Sequence, residues 1–479
     1  MMSTNKEKII SFLNEQIAQA DFRTKAYVFD EKDQRRPQRD IFTKIKSYLD
    51  KFLEGNTNNR WITLTGLRGA GKTTVLSQIF NSHKGKEVYR LLLYLDQTSQ
   101  LLGASLDEII YIYEELIGKS LEKLDKPLLL FLDEVQYDKK WAVTLKSIFD
   151  RSNKVFIFTT GSAALLMNTN PDIARRAIFE KLFPLSFAEY LKIKQQKNEI
   201  KGLEKKIREA IFLSKNAKEV FSNLKNLEKK ANEYYLGISR FEFEKYLNYG
   251  SLPFMIASEN EAIVYDQIHK TLDRVISEDI SGTGRFSSAT VSKISAILYS
   301  VADMDTFSFS KISEKFNIKD RSIVSEIFNL LEQTEVLHRI YPHGSHLNQA
   351  SNKASKYLFS SPAFRAMYYK MIGNTISPEN YKGKLWEDLI SMYLHRILYK
   401  NPGKSLIYDS AQGGADFILG IGAKKIVIEV GAGKKGYRQI ISTSKKIKAD
   451  YGIIISNDSL DYSEEFNAVK IPLRLFLLA

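Results

Sequence analysis

Four short, mostly apolar runs mark the first third of the chain: RWITLT at 60–65, RLLLYL at 90–95, PLLLFL at 127–132 and NKVFIF at 153–158. Helical segments such as TTVLSQIF separate them. Strands this close to continuously apolar are buried on both faces, so the pattern predicts a parallel sheet covered by helices. Ile41, Ile45, Tyr48, Leu49 and Phe52 share one face, predicting a helix over roughly 39–54 that Gly55 and the asparagines after it stop. Ahead of it, MMSTNKEKIISFLNEQIAQA reads as an amphipathic helix and residues 25–39 as a polar connector. After PLSFAEYL at 184–191 the texture turns helical through YGSLPF at 249–254. From about residue 350 strands return, with KYLFSSPAF, DFILGI, KIVIEV and YGIIIS around the helical KGKLWEDLISMYLHRIL. They predict a second α/β unit.

At 479 residues the chain exceeds one typical domain of ~100–200 residues several-fold. The longest apolar runs fall far short of the ~18 residues of a spanning helix, and the N-terminus lacks the continuous apolar stretch of a secretory signal. The expectation is a soluble, cytoplasmic protein with no membrane segment. With no Cys there is no disulfide framework, thiolate nucleophile or Cys-based zinc site. His338, His343 and His346 cluster only loosely and read as ordinary histidines. The net charge of +14 favours a polyanionic partner. Eleven Lys and Arg208 against five Glu put half of that excess between 191 and 230. That stretch reads either as a solvated helical hairpin or as a phosphate-tracking surface through Lys201, Lys205 and Lys206.

The strongest chemical signal is GLRGAGKTT at 66–74, directly after a strand and opening a helix. Its glycines Gly66, Gly69 and Gly71 let backbone N–H groups curl around phosphates; Lys72 reaches the β- and γ-phosphates, Thr73 can ligate Mg²⁺, and Thr74 completes the motif. LLLFLDEVQ places Asp133 and Glu134 at the end of a buried strand. Asp133 suits Mg²⁺ and Glu134 suits polarising the attacking water, which together predict ATP hydrolysis. Thr160, at the end of NKVFIFTT, reads as a γ-phosphate contact or as a simple strand-end turn. Arg175 and Arg176 in DIARRAIF read as a catalytic guanidinium or as solvated helix charge.

GLRGAGKTT, LDEVQ with Trp141 after it, TTGSAALL, ARR followed by FPLSFAEYL, YGSLPF, KYLFSSPAFR, KLWEDLI and IPLRLFLL occur in that order. In this the chain resembles the bacterial and archaeal AAA-type ATPases that carry a C-terminal domain of unknown function. The resemblance implies ATP and Mg²⁺ as ligands and makes Arg176 the better match to the family arginine, since the family usually has Gly where Arg175 stands. YGSLP here replaces the more usual YGGxP. The implied organisation is a helical lead (1–38), a P-loop ATPase core (39–190), a basic helical lid (191–287), a winged helix (288–345) and a nuclease-like α/β domain (346–479).

The winged-helix reading takes Ser308 or Ser310 as a cap, NIKD as the turn and 321–333 as the candidate recognition helix, with Lys319 and Arg321 as nucleic-acid contacts. The last unit resembles the PD-(D/E)XK nuclease fold through Glu387, Asp416 and Glu429, a carboxylate set suited to metal-assisted phosphodiester hydrolysis. The lysine of that pattern is Gly431 here, with Lys434 and Lys435 nearby. The expected function is an ATPase coupling nucleotide state to rearrangement on DNA or on a protein partner, as a homo-oligomer if its arginine acts in trans. A nucleotide-gated nuclease and a signalling switch that never touches DNA are the alternatives.

Overall fold

In the computed structural model the apolar runs lie side by side as parallel strands. They are β1 (Trp61–Gly66), β2 (Tyr89–Tyr94), β3 (Leu128–Asp133), β4 (Val155–Ser162) and β5 (Ile178–Leu182), in the order β2-β3-β4-β1-β5. The structure describes residues 2–162, 171–258, 260–304, 306–344, 354–372, 378–399, 401, 403–433 and 436–479. His346, Lys434 and Lys435 lie outside them, as does AALL of the TTGSAALL segment.

Strands β1, β3 and β4 are buried along their whole length, their apolar residues in the sheet core and polar ones such as Thr160 and Asp133 toward the C-terminal edge. Helices cover them: Phe52 packs on Phe156 and Phe80 on Phe131, while Leu106, Ile109, Trp141 and Leu145 join Ile9 and Leu13 in one core cluster. Removing one such aromatic ring costs about 3–5 kcal/mol. The register decides where chemistry can occur. With β4 inserted between β1 and β3, Gly66 lies opposite Ser162 and Leu132 opposite Thr159, so the C-terminal ends of all three strands share one edge.

The first helix, Met2–Val28, runs into the predicted connector. Tertiary contacts hold its last turns: Thr24 accepts from Asn81 at 2.5 Å, Asp21 pairs with Arg90 at 2.8 Å, and Val28 is buried. Met1–Phe183 forms one compact unit around the five-stranded sheet; Pro184–Ala479 forms the other.

The second unit holds one nine-stranded mixed sheet. Its strands are β6 (Thr306–Phe307), β7 (Leu337–Pro342), β8 (Ser355–Phe359), β9 (Lys404–Tyr408), β10 (Phe417–Ile421), β11 (Lys424–Val430), β12 (Tyr451–Ser456), β13 (Asp461–Ser463) and β14 (Ala468–Pro472). The order is β13-β14-β12-β11-β10-β9-β7-β8-β6. Two short helices, Phe309–Lys315 and Arg321–Gln333, precede β7, and the antiparallel pairings β6–β8 and β7–β8 complete the 306–359 segment. Ser308 and Asp320 cap those helices. Parallel pairing of Tyr341 with Ile407 and Pro342 with Tyr408 joins this segment to the strands that follow.

The basic stretch is mainly the helices Leu203–Phe212 and Ala217–Tyr235, which pack beside β12, β13 and β14. Tyr451 donates to the Ile211 carbonyl at 2.7 Å, Tyr235 to that of Arg474 at 2.7 Å, and Lys424 to that of Ser214 at 2.7 Å. One face of the hairpin is thus part of the second unit's core. The motif segments PLSF, YGSLPF and SSPAF also meet there: Leu185 N–H donates to the Ser251 carbonyl and the Ser251 and Ser361 hydroxyls lie 2.7 Å apart. They hold the unit together.

Candidate active site

The phosphate loop begins where β1 stops. A Cβ on Gly66 would lie 2.4 Å from the Leu182 carbonyl oxygen at the end of β5, so a side chain there would part the two strands. Gly71 caps the helix Lys72–Asn81 with φ +95°, a left-handed conformation that costs a residue with a Cβ about 1–2 kcal/mol. Between them Gly69 forms the turn, and Thr74 is half-buried in the first helical turn. Lys72 is buried, and its ammonium donates back to the carbonyls of Gly66 at 3.0 Å and Leu67 at 3.3 Å. A buried ammonium requires acceptors; the loop's own carbonyls supply them.

Asp133 ends β3 and faces that helix. Thr73 Oγ1 donates to its Oδ2 at 2.8 Å and Thr160 Oγ1 to its Oδ1. Thr160 in turn accepts the Glu134 backbone N–H at 3.1 Å, linking the end of β4 to the turn after β3. Burial, then the adjacent Glu134 charge, pushes the Asp133 carboxyl up to about 6, against the pull of the Thr160 and Thr73 hydroxyls and the Lys72 ammonium. Glu134 itself takes a left-handed backbone (φ +53°, ψ +53°), and its carboxylate accepts from Gln136 Nε2. The structure therefore brings Lys72, Thr73, Asp133, Glu134 and Thr160 together. Hydroxyl and carboxylate oxygens are the hard donors that Mg²⁺ takes, and Thr73 and Asp133 present them in mutual contact, so this donor set fits the ion.

Comparison with known proteins agrees with this geometry. Residues 58–191 match the model of an AAA domain, and residues 240–373 match a domain of unknown function, DUF8612. An uncharacterized protein of Methanocaldococcus jannaschii, MJ1637, is 35% identical over 452 residues, which cover 93% of this chain and 90% of that protein. The chain belongs to this family of AAA-type P-loop ATPases. Among solved structures it is similar to the Walker-type ATPase PABY2304 of Pyrococcus abyssi, at 15% identity and a TM-score of 0.39, over 71% of this chain and 99% of that one. It is also similar to the Aeropyrum pernix ORC1 protein in complex with DNA, at 14% identity and a TM-score of 0.31, over 69% and 92% of the two chains.

In this AAA ATPase, Arg176 is bonded to Asp150 through Nε at 2.8 Å and Nη2 at 2.9 Å, and Arg175 is exposed. One residue of the site has no counterpart in the sequence reading. Arg39, buried ahead of the helix Asp40–Leu53, donates to the Ala70 carbonyl at 2.9 Å and the Phe183 carbonyl at 2.8 Å. It ties the phosphate loop to the chain just beyond β5. The following helix is fixed in turn by Lys44 and Tyr48, which both reach the buried Glu180 on β5. Only the RRPQR cluster ahead of a helix start hinted at this role, and such clusters are commonly solvated.

In the second unit, Lys356 on β8 is buried and paired with both Glu387 and Asp416, the latter at 3.1 Å. The other oxygen of Asp416 accepts the Val430 N–H at 2.9 Å, next to the buried Glu429. Among the described residues no three His, Cys, Asp or Glu side chains form a group that could hold a metal ion. The nuclease-like carboxylates therefore converge in part, but on an ammonium. Lys319 and Arg321 are exposed where the helix Arg321–Gln333 begins, and Lys201, Lys205 and Lys206 are exposed around the start of Leu203–Phe212. His338 is buried and stacked on His395 with ring centroids 3.7 Å apart, a packing contact. No helix among the described residues is long and apolar enough to cross a membrane.

Proposed function

We propose that this AAA ATPase binds Mg²⁺–ATP at the loop 66–74 and hydrolyses it through Glu134, using the nucleotide state to rearrange on a DNA or protein partner. The observation that carries the reading is the chain Thr73–Asp133–Thr160–Glu134, which links the phosphate loop and the ends of β3 and β4 by hydrogen bonds. Lys72 exchanges its loop carbonyls for phosphate oxygens, which bind an ammonium more strongly. Thr73 and Asp133 are the residues that would hold Mg²⁺, which when bound neutralises charge between the β- and γ-phosphates. Glu134 holds its carboxylate beside the same edge and orients the attacking water; Thr160 fixes the backbone from which it projects.

DNA is the favoured partner because of the overall charge of +14 and the exposed Lys319 and Arg321 at the start of a capped helix, ahead of the antiparallel strands β7 and β8, the layout of a winged helix. The buried contact of Lys356 with Glu387 and Asp416 weighs against a metal-dependent nuclease. Two variants test the catalytic reading. Lys72→Ala should abolish tight Mg²⁺–ATP binding, whereas Glu134→Gln should retain ATP and lose turnover. Hydrolysis by Glu134→Gln at the wild-type rate would remove Glu134 from the mechanism.

A further inference from the structure

A cavity of about 350 Å³ opens beside the C-terminal half of the phosphate-loop helix, where the end of the first helix and the connector after it cross Gln78, Asn81 and Ser82. Its lining includes three cations, Arg35, Arg36 and Lys84, and no carboxylate. Arg36 is anchored through Nε, which donates to the carbonyls of Ala26 and Phe29 at 3.0 Å each. Arg35 stands over the Phe29 ring, and Lys84 touches Asp21 only at 3.8 Å. Inside, Gln78 is 4% exposed. Its Nε2 makes a long bond to the Pro37 carbonyl at 3.5 Å, and its Oε1 is buried with no hydrogen-bond partner among the described residues.

A buried amide oxygen without a donor costs about 1–3 kcal/mol, so its presence in the wall of a cationic cavity calls for a donor from outside. Three cations in a lining without a carboxylate, Lys84 meeting Asp21 at its rim at 3.8 Å, suit a doubly charged group, and Val28 and Phe29 supply an apolar wall. The volume lies at the small end of ligand sites, which run from roughly 300 to 1,000 Å³. We propose that this cavity binds a small phosphomonoester on a hydroxyl-bearing ring, its phosphate held by Arg35, Arg36 and Lys84 and a ring hydroxyl donated to Gln78 Oε1. The site is distinct from the nucleotide loop: Gln78 lies six residues beyond Lys72, about 9 Å further along the helix at 1.5 Å per residue.

Calorimetric titration of the full chain with ribose 5-phosphate, AMP and inorganic phosphate tests it. Ribose 5-phosphate should bind once per chain, and Lys72→Ala should leave that binding intact. The exposed pair Arg35→Glu with Lys84→Glu should weaken it at least about tenfold. Gln78→Leu should weaken ribose 5-phosphate and spare inorganic phosphate. AMP binding more tightly than ribose 5-phosphate in Lys72→Ala would assign a nucleoside monophosphate, and equal binding a sugar phosphate; both support the site. The proposal is overturned if ribose 5-phosphate shows no binding up to about 1 mM. It also falls if inorganic phosphate binds as tightly, or if binding is lost in Lys72→Ala but kept in the double variant.

Discussion

Replacing Arg39 by Ala removes a side chain that bonds both the phosphate loop and the backbone after β5. Both bonds are charge-assisted and buried, so each contributes about 1.5–3 kcal/mol, and their loss leaves the Ala70 and Phe183 carbonyls without that donor. Water entering the space left by the side chain restores part of this, leaving a net cost of about 2–4 kcal/mol. For a unit of this size, a loss of ~3 kcal/mol lowers the melting temperature of its transition by roughly 6–12 °C. The loop should also lose preorganisation, with Kd for a slowly hydrolysed ATP analogue rising about tenfold for each 1.4 kcal/mol that had held Ala70 in place. Arg39→Lys keeps the charge but has no fork, so it should recover at most one of the two bonds. Thermal denaturation and fluorescence titration of the analogue read the two effects separately. A melting point within about 1 °C of wild type together with unchanged analogue affinity would refute the bridging role.

Arg176→Ala should lower the rate of ATP hydrolysis with little change in nucleotide affinity; an unchanged rate would leave Arg176 as a structural partner of Asp150, and rescue on mixing with Glu134→Gln would place it in trans. Reversing Lys201, Lys205 and Lys206 to Glu should weaken DNA binding and flatten its dependence on log salt while basal hydrolysis persists, since every phosphate left unneutralised takes about 0.9 from the slope. The pair Lys319→Glu with Arg321→Glu makes the competing claim, and DNA affinity unaffected by either set would favour a protein partner. Asp409 gives a pH-dependent prediction. Burial alone would raise its carboxyl, but donation from Lys446 at 2.7 Å and Thr443 at 2.8 Å outweighs it and holds the pKa below the usual carboxylate value. Its contribution is therefore complete above the unfolded pKa of about 3.9 and is lost as pH falls through the lower folded value. The stability gap between wild type and Asp409→Asn, followed by urea denaturation, should be flat near neutrality and shrink below about pH 4. A gap independent of pH would contradict the pairing.

Local chemistry was readable in the sequence where one short segment carries it whole. The phosphate loop and Asp133–Glu134 each sit at the end of an apolar run, and the flanking strand and helix place them. Thr160 was readable only as one of two alternatives, because its partners Asp133 and Glu134 lie on a different strand. Arg39 and Lys356 were out of reach for the same reason: each acts on residues at least 30 positions away, and no local pattern distinguishes them from surface charge. β5 escaped because IFEKL is half-polar at a sheet edge, where burial on one face suffices. In the basic stretch the charge count was visible, but its apolar stripe is what seats it beside β12 and β14, with Ile207, Ile211, Val220 and Leu224 buried.

The parallel pairing of β7 with β9 has a mechanical consequence. Backbone hydrogen bonds run without a break from β6 to β13, so the helix Arg321–Gln333 is mounted on the same plate as the last strand of the chain. A swivel of that helix that carried β7 with it would break the ladder joining Tyr341 and Pro342 to Ile407 and Tyr408, whereas a tilt of the entire plate breaks none. The same plate forbids clean dissection: a fragment cut between Pro342 and Ser355 would leave β7 and β9 with raw edges where the native chain has neighbours, and both halves should aggregate when expressed apart.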